Sequence, residues 1–343
     1  MEFDLMTGAS TWADTAELAR TLQDLNFSGV LYTETSQVPW MQITAAALAA
    51  PELYFTTGIA VAFPRSPMVT ASVAWELAAN TNGRFRLGLG SQVKAHVERR
   101  YSSEFSKPAA RMRDYVLAVK ACFRAFSGDE RLRHEGEFYN LSLLPRDWTQ
   151  PPHDHEMKVD ISAVGPLMTR VAGEVADGIH VHPLHSMAYI NNRLLPDVAT
   201  GAANAGRNVE EIELIIPVFA CPGDTPEERE PYVKVAKRQI AFYGSTPNYA
   251  FQFDDLGFDG TTSRIREKMK AGDLDTIGDC ITDEMLEHFG LVARWDEMAD
   301  RLNERYQGTA SRVVMYLAES HIRRDTIHRA RWGEVAAAVR SSS

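Results

Sequence analysis

TTGIAVAFPRSPMVTASVAWELAANTNGRFRLGLGSQ, residues 56–92, contains the unit from which the fold is read. Its opening belongs to a strand expected over 53–62, dense in β-branched and aromatic side chains. Ser66 stands as an N-cap, and Pro67 takes the first helical position, where its missing N–H costs nothing. The helix stops at Asn82-Gly83, and a second strand follows over 85–89. Strand, helix, strand is the repeat that the rest of the chain continues.

Toward the N-terminus, a strand is expected over 3–6. A helix follows, with Ser10 or Thr11 as N-cap and Leu18, Leu22 and Leu25 on one face. A strand over 30–33 and a helix over 39–50 complete that side. Toward the C-terminus, helices are expected over 108–126, from Pro166 to Asp177-Gly178, over 187–205, from Thr225, over 294–307 and over 325–340. Strands are expected over 158–163, 179–182, 212–220 and 312–317. Two excursions break the rhythm. One covers 128–156, with a hairpin around His134 to Tyr139. The other covers 245–290 and carries the basic run Arg264, Arg266, Lys268, Lys270.

Eight strands, each followed by a helix, make an α/β (β/α)8 TIM barrel with insertions the economical architecture, as a single domain over 1–343. An open doubly wound sheet is the alternative. It would want a glycine fingerprint after its first strand, where only Gly8 lies.

Composition narrows the function. The net charge of −10 opposes a nucleic-acid partner, which needs a basic footprint. No apolar run reaches the length of a membrane span, and the first six residues carry two acids and no basic n-region, unlike a signal peptide. Three scattered cysteines form neither a disulfide framework nor a zinc signature, so a reduced cytoplasmic setting is expected.

In such a barrel, chemistry sits where strands end and βα loops begin. Glu34 follows the second strand and is a candidate acid or cofactor-orienting group; a solvated loop acid is the plainer alternative. Thr57-Gly58-Ile59 places a glycine inside a β pattern, which marks a bulge or a close backbone approach. Gly88-Leu89-Gly90-Ser91-Gln92-Val93 ends the fourth strand and begins like a dinucleotide motif, but Val93 replaces its third glycine. His96 follows on a stretch that also reads as a solvated helix face. Ala163-Val164-Gly165-Pro166 opens a helix whose free N–H groups suit a phosphate. His180 and His182 share one strand face, which suggests either a metal pair or a histidine in a substrate pocket. Further metal ligands are not evident, and no metal site is assigned.

Residues 56–92 and AVGPLMTRVAGEVADGIHVHP, residues 163–183, resemble the bacterial-luciferase-like superfamily, particularly its F420-dependent oxidoreductases. The resemblance implies a flavin or deazaflavin ring in the C-terminal mouth of the barrel. It also implies a non-prolyl cis peptide at Gly58-Ile59 behind that ring and a phosphate at Gly165-Pro166. Trp40 matches an active-site tryptophan of these relatives. Where sugar-phosphate dehydrogenases of the group carry an Asp-His pair, this chain has Glu34 and Thr35. Where they carry an acid after the fourth strand, it has Ser91 and Gln92.

The expected activity is therefore hydride transfer between coenzyme F420 and a small organic substrate, with the proton donor open among Glu34, His96 and His182. A homodimer is expected from the relatives, and the basic run is a candidate partner for the acidic tail of F420. The rivals are an FMN-dependent monooxygenase of the same fold, a divalent-metal hydrolase using His180 and His182, and an F420-binding homologue without catalysis.

Overall fold

The structure is a computed structural model and describes residues 1–342. Eight parallel strands are β1 (Glu2–Thr7), β2 (Gly29–Tyr32), β3 (Tyr54–Thr57), β4 (Phe85–Gly90), β5 (Lys158–Ala163), β6 (Gly178–Val181), β7 (Glu213–Pro222) and β8 (Arg312–Met315). Each pairs with the next, and β8 returns to β1 through Glu2 opposite Arg312, so the sheet closes. The barrel expected from the alternation is the barrel observed.

The helices form where the punctuation places them. Helix α1 (Trp12–Asp24) is capped by Thr11, whose Oγ1 accepts from the Asp14 N–H at 3.1 Å. Helices α2 (Pro39–Ala49) and α3 (Pro67–Asn80) both start on proline. Ser66 occupies the N-cap of α3 but makes no side-chain capping bond. Helix α4 (Pro108–Ser127) ends at Gly128, whose φ of 87° is left-handed and favours glycine. Helices α5 (Pro166–Val175) and α6 (Leu195–Asn204) follow β5 and β6. Helix α7 (Pro226–Gly244) is capped by Thr225, and α8 (Thr326–Ser341) closes the chain.

Two expected elements are interrupted. The strand expected over 53–62 breaks after Thr57 and resumes at Ala60–Val61, and the Gly58–Ile59 peptide between the two pieces is cis. The helix expected over 187–205 opens at Met187–Tyr189 and passes through a π-turn at Ile190–Leu194 before α6. Pro196 has no N–H to offer the Asn192 carbonyl, which favours the wider turn.

Both excursions are built, not slack. In the first, His134–Glu135 pairs antiparallel with Asn140–Leu141. Asp114 of α4 staples this hairpin, accepting from the Phe138 and Tyr139 N–H groups at 2.6 and 3.0 Å and meeting His134 Nε2 at 2.7 Å. The second contains short helices and a strand that sequence periodicity did not reveal, Gly290–Ala293, paired parallel with the end of β7.

Inside the barrel, the N-terminal end is ionic. Arg312 grips Asp4 through two bonds of 2.5 and 2.8 Å. Arg86 grips Asp160 through two of 2.7 and 2.8 Å and reaches Glu213 at 2.5 Å. An apolar layer of Leu31, Ile215 and Val314, with Met6 beside it, lies above these pairs. Strand alternation then brings the next inward residues to the C-terminal mouth.

Candidate active site

The mouth has three parts, each held by different strands. The first is an apolar seat at the ends of β3 and β4. A Cβ on Gly58 would lie 1.7 Å from Leu31 Cδ2, so only glycine passes there. A Cβ on Gly90 would lie 2.6 Å from Ile59 Cδ1, so the Ile59 side chain rests directly on Gly90. Thr57 is fully buried and spent internally, donating to the Gly88 carbonyl at 2.7 Å and accepting from the Gly88 N–H at 2.8 Å. It clasps β3 to β4 and has spent its one donor.

Glu34 secures this seat from outside. Its carboxylate accepts from the Val61 N–H at 2.8 Å and from Arg65 Nη1 and Nη2 at 2.7 and 2.6 Å. The Arg65 guanidinium in turn lies 5.8 Å from the centre of the buried Trp40 ring. Glu34, Arg65 and Trp40 form one positioning unit. Glu34, a candidate acid or cofactor-orienting group from sequence, is thus held on the Val61 amide and on Arg65, and Arg65, 31 residues away, is the partner that sequence reading missed.

The second part is a cradle at the start of α5. A cavity of about 550 Å³ is lined by Val164, Gly165 and Pro166, with Asn192 and Arg193 from the π-turn and Asn248 from the second excursion. No side chain caps α5. Gly165 faces open space, with no atom within 4 Å of where a Cβ would stand. Tyr189 fixes the turn by donating its hydroxyl to the Val164 carbonyl at 2.8 Å. Ala163 is buried at the end of β5 and supports the turn from below. Uncapped N–H groups at a helix start are able to meet an anion.

The third part lies at the ends of β6 and β8. Burial pushes the His182 imidazole down to about 4. The Leu184 N–H donates to His182 Nδ1 at 3.1 Å. Tyr243 and Tyr249 each pack 4.8 Å from the His182 ring centre. Tyr243 and Tyr316 share a hydroxyl hydrogen bond, and Gln239 Nε2 approaches the Tyr316 hydroxyl at 3.4 Å. Of these companions only Tyr316 carried a sequence signal, since it shares the inward face of β8 with Arg312 and Val314. The others come from α7 and the second excursion, where no strand-end rule looks.

The remaining candidates are placed elsewhere. His96 is exposed on a short helix, Lys94–Arg99. Ser91 is half-buried and donates to the Gln92 carbonyl at 3.2 Å. His180 points below the mouth, its Nε2 3.5 Å from Asp160 Oδ2, and so parts company with His182. Among the described residues no three His, Cys, Asp or Glu side chains are grouped to hold a metal. Arg264 and Lys268 of the basic run bond within their own excursion, to Thr261 and Thr276. No helix among the described residues is long and apolar enough to cross a membrane.

A closed parallel barrel with an open mouth at the strand C-termini agrees with what the family comparison finds. The model of the luciferase-like monooxygenases matches residues 2–312, and the chain belongs to that family. An uncharacterized protein of Mycobacterium tuberculosis is 35% identical over 310 residues, covering 90% of this chain and 91% of its own. A 5,10-methylenetetrahydromethanopterin reductase of Archaeoglobus fulgidus is 22% identical over 80% of each chain. Among solved structures, the coenzyme F420-dependent tetrahydromethanopterin reductase of Methanopyrus kandleri superposes with a TM-score of 0.76 at 19% identity, covering 99% of both chains. The oxygenating constituent of the 3,6-diketocamphane monooxygenase of Pseudomonas putida, in complex with FMN, superposes with a TM-score of 0.67 at 16% identity, covering 99% and 98%. Family and neighbours are oxidoreductases and monooxygenases, and the chain is an enzyme of that broad kind.

Proposed function

We propose that this protein is an F420-dependent oxidoreductase acting on a small organic molecule. The cradle carries the reading: an uncapped helix start opens onto a cavity of about 550 Å³ at the end of β5, beside an apolar seat at β3 and β4. A phosphate-bearing ring system fits that pairing. The free N–H groups at the start of α5 would meet the phosphate, and open space at Gly165 leaves room for it. Ile59 over Gly90 would back the ring. Bound F420 supplies a two-electron hydride carrier, chemistry that no side chain provides. The chain's own contribution is to hold ring and substrate in register and to keep water from the reacting face.

FMN also carries a phosphate, and the likeness to an FMN-bound monooxygenase supports a second reading on the same cradle. Likeness to a 5,10-methylenetetrahydromethanopterin reductase over 80% of each chain, and to the fold of the coenzyme F420-dependent tetrahydromethanopterin reductase, supports the first reading.

The deciding measurement is titration with F420 and, separately, with FMN. Binding is followed by the fluorescence of the six tryptophans and by an independent binding assay. Saturable F420 binding with weak FMN binding is the expected result. The reverse would move the enzyme to the monooxygenases, and binding of neither would overturn both readings.

A further inference from the structure

We propose that the β6–β8 side of the mouth is a binding site for the carbonyl oxygen of an uncharged ketone or enone, with the His182 Nε2–H as its principal donor. The link to catalysis rests on the F420 reading; the binding site itself does not.

The geometry fixes the histidine's tautomer. Because the Leu184 N–H donates to Nδ1, that nitrogen is the acceptor, and the proton of a neutral ring sits on Nε2. Among the described residues Nε2 makes no hydrogen bond, and it is not one of the polar atoms buried without a partner. The turn that presents it is braced by a second histidine. His185 Nδ1 meets the His182 carbonyl at 3.0 Å, and its Nε2 lies 3.4 Å from the Tyr306 hydroxyl. Burial also pushes His185 down to about 4, so both rings are neutral at ordinary pH. A neutral Nε2–H donates a hydrogen bond well and gives up its proton poorly. His182 is therefore a polarising donor, which revises the proton-donor role considered for it from sequence.

The surroundings select against charge. The groups that bear on His182 are the Leu184 amide and His185, and its ring neighbours are Tyr243 and Tyr249. Those acting on Tyr243 and Tyr316 are one another, Tyr249 and Gln239. None of these four rings has a charged hydrogen-bond partner or an ion pair among the described residues. A carboxylate or phosphate brought here would lose its hydration without gaining a cation, which is costly. A carbonyl oxygen needs only donors, and the Nε2–H and the tyrosine hydroxyls supply them. The flat faces of Tyr243 and Tyr249 suit a planar, conjugated flank.

The site also adjoins the cradle. Asn248 lines the cavity at Gly165, and the next residue, Tyr249, packs on His182. One short segment of the second excursion thus borders both cofactor cradle and carbonyl site.

The test uses acetophenone and benzoate, which match in shape and differ in charge. Each is titrated into the full-length protein by saturation-transfer NMR, with F420 present and absent. Acetophenone is expected to bind, with benzoate at least about tenfold weaker. His182→Ala is expected to weaken acetophenone by about tenfold, and His182→Gln, which keeps a side-chain N–H, to recover most of that loss. Histidine ¹⁵N spectra are expected to show a neutral Nε2–H ring at position 182 from roughly pH 5.5 to 8. Equal or tighter benzoate binding, no acetophenone binding, an unchanged His182→Ala variant or an Nδ1–H ring would each overturn the assignment. The two proposals separate cleanly. Loss of F420 binding with retained selectivity for acetophenone sinks only the cofactor reading, and F420 binding with reversed selectivity sinks only the carbonyl site.

Discussion

The two ends of the barrel treat polar groups in opposite ways. At the N-terminal end, Arg86, Asp160, Glu213, Asp4 and Arg312 are paired to completion, with bonds of 2.5 to 2.8 Å. At the C-terminal mouth, the Gly165 turn has an uncapped helix start and His182 keeps a free Nε2. A buried charge left unpaired is expensive, so the closed end spends its charged groups on one another. The mouth can leave donors open because solvent or a ligand reaches them. Arg65 and Glu34 show that the rule is local: they sit by the mouth, yet pair as fully as the closed end does.

The sharpest way to break this comparison is at Arg86. Arg86→Met leaves Asp160 buried and without its main counter-charge, and is expected to cost about 3–5 kcal/mol in urea unfolding. The cofactor affinity of the molecules that still fold should be unchanged. A large loss of affinity at unchanged stability would show that the closed end is not purely structural.

Acid separates the two ends by pH. The folded His182 and His185 are pushed down to about 4 by burial, while unfolded histidine titrates near 6.5. Between those values the unfolded chain binds more protons, so stability should fall as pH drops through that window. The closed end responds lower. Against the opposing pull of burial, Arg86 holds the Asp160 carboxyl well below the usual carboxylate range, and Arg86 and Lys158 hold Glu213 down. Their stabilisation is complete above the unfolded carboxylate values, near 4, and is lost as pH falls below them. In the double variant His182→Gln, His185→Gln, the upper part of the stability–pH slope should flatten and the lower part persist. A slope that does not change would place its origin elsewhere.

The smallest effect on the fold, and the most selective on function, is expected at Gly165. Its Cβ position is open, so Gly165→Asp should leave the melting temperature nearly unchanged. The added carboxylate would face the bound phosphate and weaken F420 or FMN by about tenfold, or about 1.4 kcal/mol. Unchanged affinity for whichever cofactor binds would remove the cradle from the site.

Much of the mouth was legible in advance where a local rule applied. Gly58-Ile59 stood out as a glycine inside a β pattern, and Gly165-Pro166 as a helix start after a strand. Both lie in the mouth, at the apolar seat and the cradle. Residue types without a local rule needed the closed fold. Glu34 and Thr57 were candidates without partners in view, and the structure supplies those partners, Arg65 and Gly88, 31 residues on. His180 and His182 share a strand face, yet one meets Asp160 below and the other faces tyrosines above. A period of two residues cannot say at what depth each neighbour's side chain waits.

The sequence by itself determined the alternation of strand and helix, the helix starts at Pro39, Pro67, Pro108, Pro166 and Pro226, and the two excursions. These depend on side-chain period and on the backbone limits of proline and glycine, which act within a few residues. The tertiary structure alone decided which polar groups are spent and which are left free. That choice is made by closing the sheet, which brings Tyr243 of α7 to Tyr316 from 73 positions away, and by laying Tyr249 of the second excursion against His182. No local preference encodes such a contact; it exists only once the barrel is shut.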